Sequence, residues 1–122
     1  MDRQGARAVV RTYFGAWTKR DFATAIDLLA NDLEVEVPIN AYPTKAAFAE
    51  ALTAFGGMVD RVVLLAELAE RDEAMLLYDM DVVPLGRLRI AEHFTVVDGA
   101  ITRIRQIHDT VALRAAGFDR SS

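Results

Sequence analysis

The chain has 122 residues, with 52% hydrophobic and 26% charged side chains, so it is long enough to bury one core and too apolar to be disordered. It contains no cysteine, which excludes disulfides, thiolate catalysis and cysteine-held metals. The net charge is −4 and the arginines are scattered among acids, so nucleic acids and anionic membranes are poor partners.

The N-terminal string MDRQGARAVV never reaches the apolar core of a signal peptide, and no run is long enough to span a bilayer. The expectation is a cytoplasmic protein formed as a single domain over residues 1–122.

The first element is a helix from about Arg3 to Thr18, because Val10, Tyr13, Phe14 and Trp17 recur on one face. Asp21 then reads as the N-cap of a second short helix, FATAIDLLA, which Asn31-Asp32 ends. LEVEV (Leu33 to Val37) alternates apolar and acidic residues and reads as a half-buried strand. Pro38 to Pro43 is a loop. Thr44 can cap a third helix whose Phe48, Ala51, Leu52 and Phe55 share a face, and Gly56-Gly57 stops it.

The rest is mostly strand. Val59 to Ala69, Ala74 to Val83, Arg87 to Val97 and Ala100 to His108 are separated by turn signals at ERDE, Pro84-Leu85-Gly86 and Asp98-Gly99. A short helix can follow Asp109, ending near Gly117, and DRSS reads as a frayed tail. Helix, helix, strand, helix and a four-strand meander predict an α+β fold, a curved antiparallel sheet covered by three N-terminal helices.

The register of the last hairpin decides which side chains see the interior. A two-residue loop, Asp98-Gly99, pairs Val97 with Ala100 and puts Arg103 and Arg105 beside Ile90 and Phe94. A three-residue loop pairs Val96 with Ala100. Leu88, Ile90, Glu92, Phe94 and Val96 then share a face with Thr102, Ile104, Gln106 and His108. The second register sends both arginines to water and is preferred. It leaves Glu92 and His108 as ionisable residues on an otherwise apolar inner face.

The strings VVRTYFGAWTKRDFATAIDLLANDLEVEVP and GRLRIAEHFTVVDGAITRIRQIHD resemble the nuclear transport factor 2-like superfamily. The branch is similar to the SnoaL-like polyketide cyclases, ketosteroid isomerases and limonene epoxide hydrolases. The resemblance implies a cone-shaped barrel with a deep apolar pocket, a homodimer formed through the convex sheet face, and acid–base chemistry without a cofactor. Tyr13, eight residues before Asp21, stands where the isomerases place an oxyanion-hole tyrosine, and Glu92 falls near their second oxyanion-hole acid, kept neutral by its apolar site. Their general base falls at Val37, which cannot act. Of the hydrolases' Asp-Arg-Asp set, Asp81 matches one aspartate, Asp79 stands at the arginine and Gln106 at the other aspartate.

The candidate catalytic residues are therefore Asp81, His108, Glu92 and Tyr13, with Trp17, Asp79, Phe55, Phe94, Ile104 and Gln106 around the substrate. His108 is either a general base or a strand-end histidine bonded to backbone. Glu92 in an apolar cavity acquires a raised pKa and can donate, or it makes a structural bond to Tyr13 or an arginine. Asp79 and Asp81 share one strand face; alternation alone puts Leu76, Tyr78, Met80 and Val82 inside, whereas the resemblance puts the aspartates there. His93 lies on the face opposite His108, so no metal site is expected. No glycine-rich phosphate loop or nucleophile elbow is present. The expected function is a cofactor-free isomerase, cyclase or epoxide hydrolase acting on a small apolar molecule. The alternative is a non-catalytic ligand-binding or interaction module of the same fold.

Overall fold

The computed structural model describes residues 5–117. The N-terminal Arg3 and the DRSS tail lie outside them. Helix α1 spans Ala6–Thr18 and buries Val9, Val10, Tyr13, Ala16 and Trp17 along one face. Its N-cap, Gly5, has no capping side chain; instead the Ala6 N–H donates to the Arg71 carbonyl, fastening the helix to a turn of the sheet. Helix α2 (Phe22–Asp27) follows, with the Asp21 carboxylate accepting from the Thr24 N–H.

Strand β1 runs from Leu29 to Glu36, so the chain leaves the helix earlier than FATAIDLLA suggests. The cause is tertiary. The Leu28 carbonyl accepts from the Ile101 N–H at 2.8 Å, and Leu29, 2% exposed, pairs with Ile101 in the core. Good helix formers were drawn into a strand by an open sheet edge. Helix α3 (Lys45–Gly56) begins at Thr44, whose Oγ1 accepts from the Ala47 N–H. A methyl group at Gly56 would stand 2.6 Å from the Phe22 ring, so glycine permits α3 to approach α2 this closely.

The meander follows as β2 (Val59–Glu70), β3 (Glu73–Val82), β4 (Gly86–Val97) and β5 (Ala100–Ile107), before a short α4 (Val111–Ala115). The strand order is β1-β5-β4-β3-β2. The meander is antiparallel, while β1 joins β5 in parallel, after α3 has carried the chain from β1 to β2 at the opposite edge and the meander has returned. The sheet is curved and unclosed, with β1 and β2 as its edges, and the helices cover its concave side. Among the described residues no helix is long and apolar enough to cross a membrane.

The hairpin between β4 and β5 combines both sequence registers. Asp98 (φ 51°) and Gly99 (φ 80°) form a two-residue turn with left-handed backbone at both positions, and Val97 pairs with Ala100. The register then shifts between Thr95 and Val96: Val96 pairs with Ile101, whereas Thr95 pairs with Arg103. Thr102 is the extra residue of this bulge, and its hydroxyl donates to the Thr95 carbonyl. The three-residue loop is thus corrected to a tight turn plus a bulge. The inner face beyond the bulge is the preferred one, with Glu92 opposite Gln106 and Phe94 opposite Ile104.

Tyr13 meets Phe94 edge-on at 5.7 Å, while Phe14 and Trp17 pack on Tyr78 at 4.9 and 6.1 Å. These contacts join α1 to β3 and β4. Ile104 is fully buried and Ile107 is 72% exposed, three residues further along the same strand. Ile104→Ala should therefore cost about 2–5 kcal/mol in urea unfolding, and Ile107→Ala no more than about 0.5 kcal/mol. Equal losses would contradict the register.

Candidate active site

Between α1, α3 and the concave sheet lies a pocket of about 140 Å³. Its wall is mainly aromatic and aliphatic. α1 supplies Tyr13 and Trp17, α3 supplies Phe48, Ala51, Leu52 and Phe55, and β3 and β4 supply Tyr78, Met80, Leu88 and Ile90. The face that helical periodicity gave to α3 is the one presented to this space. Ile39, Asn40 and Tyr42 from the β1–α3 loop and Leu113 of α4 complete the lining.

Three polar side chains from adjacent strands meet at this pocket. The Tyr78 hydroxyl of β3 donates to Glu92 Oε1 of β4 at 2.7 Å. Gln106 Nε2 of β5 donates to Glu92 Oε2 at 2.9 Å. Glu92 itself is 1% exposed, and its oxygens are held by these two neutral donors. Burial raises its pKa above the ordinary 4.5, and the hydrogen bonds from Gln106 and Tyr78 only partly offset that rise. Burial, reinforced by the nearby Glu92 charge, also pushes Tyr13 and Tyr78 well above the ordinary tyrosine value. The structural bond of Glu92 is thus to Tyr78 rather than Tyr13; Tyr13 contributes its ring to the pocket wall.

His108 lies two residues beyond Gln106, past the end of β5, and also lines the pocket. Its Nδ1 is 3.0 Å from the Asp109 carbonyl oxygen. A carbonyl oxygen only accepts, so Nδ1 carries the hydrogen, and in the neutral ring Nε2 keeps a lone pair. That is the tautomer a general base requires at Nε2.

Tyr13, Trp17, Phe55, Glu92, Gln106 and His108 are therefore brought together. Asp81 and Asp79 are not. Alternation along β3 places Tyr78, Met80 and Val82 inside and both aspartates on the outer face. There Asp79 forms a two-pronged ion pair with Arg89 at 2.7 and 2.9 Å, and Asp81 pairs with Arg87 at 2.9 Å. The arginine hydrogen bonds hold both carboxyls below their ordinary pKa. Each is a fixed carboxylate with a cross-strand cation, turned away from the pocket, so neither can act on a molecule inside it. Phe94 and Ile104 are also displaced from their expected role. Both are fully buried behind the wall and support it without lining it. Tyr78 was missed as a pocket residue, although strict alternation had put it on the inner face. Among the described residues no group of three or more His, Asp or Glu is placed to hold a metal ion.

Comparison with known proteins agrees with this architecture. Residues 10–104 match the SnoaL-like domain family. A protein from Kribbella flavida of known structure is 31% identical, with a TM-score of 0.86 over 92% of this chain and 93% of its own. A nuclear transport factor 2-like protein of unknown function from Cytophaga hutchinsonii is 16% identical, with a TM-score of 0.81 over 93% and 99% of the two chains. Another Kribbella flavida structure, described provisionally as a ketosteroid isomerase, is 23% identical, with a TM-score of 0.76 over 85% of this chain and 77% of its own. No curated protein matches. The chain belongs to the SnoaL-like family and has the nuclear transport factor 2-like fold, which includes isomerases and cyclases.

The elevated pKa of Glu92 has a defined effect on stability. The folded chain holds this proton after the unfolded chain has released it, so the contribution of Glu92 to stability falls as pH rises above about 4.5. Glu92→Gln keeps a hydrogen-bonding side chain and removes the titration. Its stability relative to the unsubstituted protein should increase from pH 4.5 to pH 8 in urea unfolding. A difference that stays flat or declines over that range would contradict the burial of an ionisable carboxyl.

Proposed function

We propose that the protein is a cofactor-free acid–base enzyme acting on a small, largely apolar molecule. The observation that carries this reading is a carboxyl group, 1% exposed and without a cation, bordering an aromatic pocket that also presents a histidine. In the reaction, His108 Nε2 removes a proton from a carbon next to a substrate oxygen function. In its protonated form, which burial favours, Glu92 donates a hydrogen bond to the oxygen as negative charge develops on it. Tyr78 and Gln106 position Glu92 through the contacts already described, and the apolar wall excludes water that would weaken these interactions.

The outward turn of Asp81 removes the water-activating carboxylate from the pocket, so isomerisation or cyclisation is favoured over epoxide hydrolysis. A proton returned by His108 to a different carbon completes an isomerisation with all atoms conserved. His108→Ala should lower kcat by about 10²–10⁴-fold. Glu92→Leu should lose more rate than Glu92→Gln, because the amide still donates a hydrogen bond. Full activity in His108→Ala would overturn the assignment.

One observation favours a binding module as the second reading: both Glu92 oxygens are already hydrogen-bonded, as a purely structural group requires. Ligand binding that survives both Glu92→Gln and His108→Ala, without conversion of any ketone or enone tested, would support the module.

We also propose that two copies pair through the outer face of the sheet. Leu68 on β2 and Met75 on β3 are direct cross-strand partners, 70% and 41% exposed, with Val63 on the same face at 37%. Leu68→Glu should shift the sedimenting mass toward the monomer. A monomeric unsubstituted protein at micromolar concentration would exclude the pairing.

A further inference from the structure

Donors around the pocket are unevenly engaged. On the sheet side they already have partners: Tyr78 and Gln106 both donate to Glu92, at 2.7 and 2.9 Å, and His108 Nδ1 is held by the Asp109 carbonyl at 3.0 Å. On the helix side, α1 presents Trp17, which is 5% exposed and lines the pocket. Among the described residues its indole N–H meets no oxygen or nitrogen acceptor. No side-chain nitrogen or oxygen of those residues is both sealed from solvent and unpaired, so the slight exposure that Trp17 keeps includes this N–H. Trp17 lines the pocket with the little surface it exposes, and the N–H therefore opens on that space.

An indole ring buries apolar area as a phenyl ring does, but it also brings a polar group that needs a partner once covered. The N–H only donates, so it fixes the sign of that partner as a lone pair on the ligand. The Tyr13 hydroxyl, one helical turn earlier and likewise unpaired among the described residues, both donates and accepts, and so leaves the sign open. The rings of Phe14 and Tyr78, centred 5.6 and 6.1 Å from the indole, offer it only π faces, which are weaker acceptors than oxygen. A molecule that covers Trp17 without supplying an acceptor leaves a buried donor unmatched, and that loss exceeds what a matched donor gains. The indole N–H does not titrate where Glu92 does, so this preference does not depend on the charge of Glu92.

We propose that the Trp17 indole N–H is a specificity-determining donor of this pocket, which takes an oxygen acceptor of the ligand on the α1 side. The assignment rests on the reading of this pocket as the ligand site and requires neither turnover nor a particular state of Glu92. The probes are 1-indanone and indane, two bicyclic molecules of similar shape that differ in one carbonyl oxygen, each titrated at pH 7 up to its solubility. Trp17 is the sole tryptophan, so its indole N–H gives one resonance in the ¹⁵N-labelled protein. Saturation with 1-indanone should move that resonance downfield of both its free position and its position with indane. Trp17→Phe, with binding followed at the backbone amide of Ala51 in the pocket wall, should weaken 1-indanone by about 3–10-fold more than it weakens indane. An indole resonance at the same position with both probes, or equal weakening of both by the substitution, would overturn the assignment and leave the pocket a ligand site. Binding of neither probe would overturn the assignment together with the reading of the pocket as a ligand site. The resonance is read on the unsubstituted protein, so a Trp17→Phe chain that fails to fold would not shield the assignment.

Discussion

The function proposed for this molecule depends on a carboxyl group held out of water without a cation. Glu92 is kept in place by a tyrosine from the strand on one side and a glutamine from the strand on the other, at 2.7 and 2.9 Å. Removing an ionised carboxylate from water is costly, so such a group shifts toward its neutral form. Two neutral donors lower that cost but do not supply a countercharge. The sheet therefore presents a carboxyl with a raised pKa at the wall of an apolar pocket.

The placement of that carboxyl follows from a one-residue irregularity. The Asp98-Gly99 turn alone would carry Arg103 and Arg105 to the inner face. The bulge at Thr102 reverses the alternation, sending both arginines outward and bringing Ile104 and Gln106 inward. The same segregation governs the whole sheet. Its outer face carries the cross-strand ion pairs Asp79–Arg89 and Asp81–Arg87 and a Glu73–His93 hydrogen bond, and its inner face carries the core. Charges that would spoil the pocket are fixed to one another on the far side of the sheet, with the Arg87 and Arg89 side chains open to water.

Much of this was legible in the sequence, and each failure has an identifiable cause. The α1 and α3 faces followed from helical periodicity because both helices lie between solvent and a single core. The order of strands followed from turn residues. The end of α2 did not, since Leu29 and Ala30 are good helix formers that tertiary pairing with Ile101 draws into β1. The parallel β1–β5 pairing has no local signature at all. For Asp79 and Asp81, alternation of apolar residues along β3 gave the correct side, while the expectation taken from family resemblance pointed to the wrong one. Tyr78 was recoverable from that alternation, but its role needed the neighbouring strands to be aligned. The bulge was half visible: the preferred inner face was right, and the turn that produces it was not, because the count of residues in a loop does not reveal an irregularity four positions away.

The central claim is that Glu92 exchanges its proton in the pocket and not in bulk solvent. The most direct measurement is a pH titration of the Glu92 side-chain carboxyl carbon by ¹³C NMR, assigned by comparison with Glu92→Gln. Burial without a cation predicts a midpoint above the ordinary 4.5 for this carboxyl. A midpoint at or below 4.5 would mean that the group is solvated or paired with a cation, and would contradict the account.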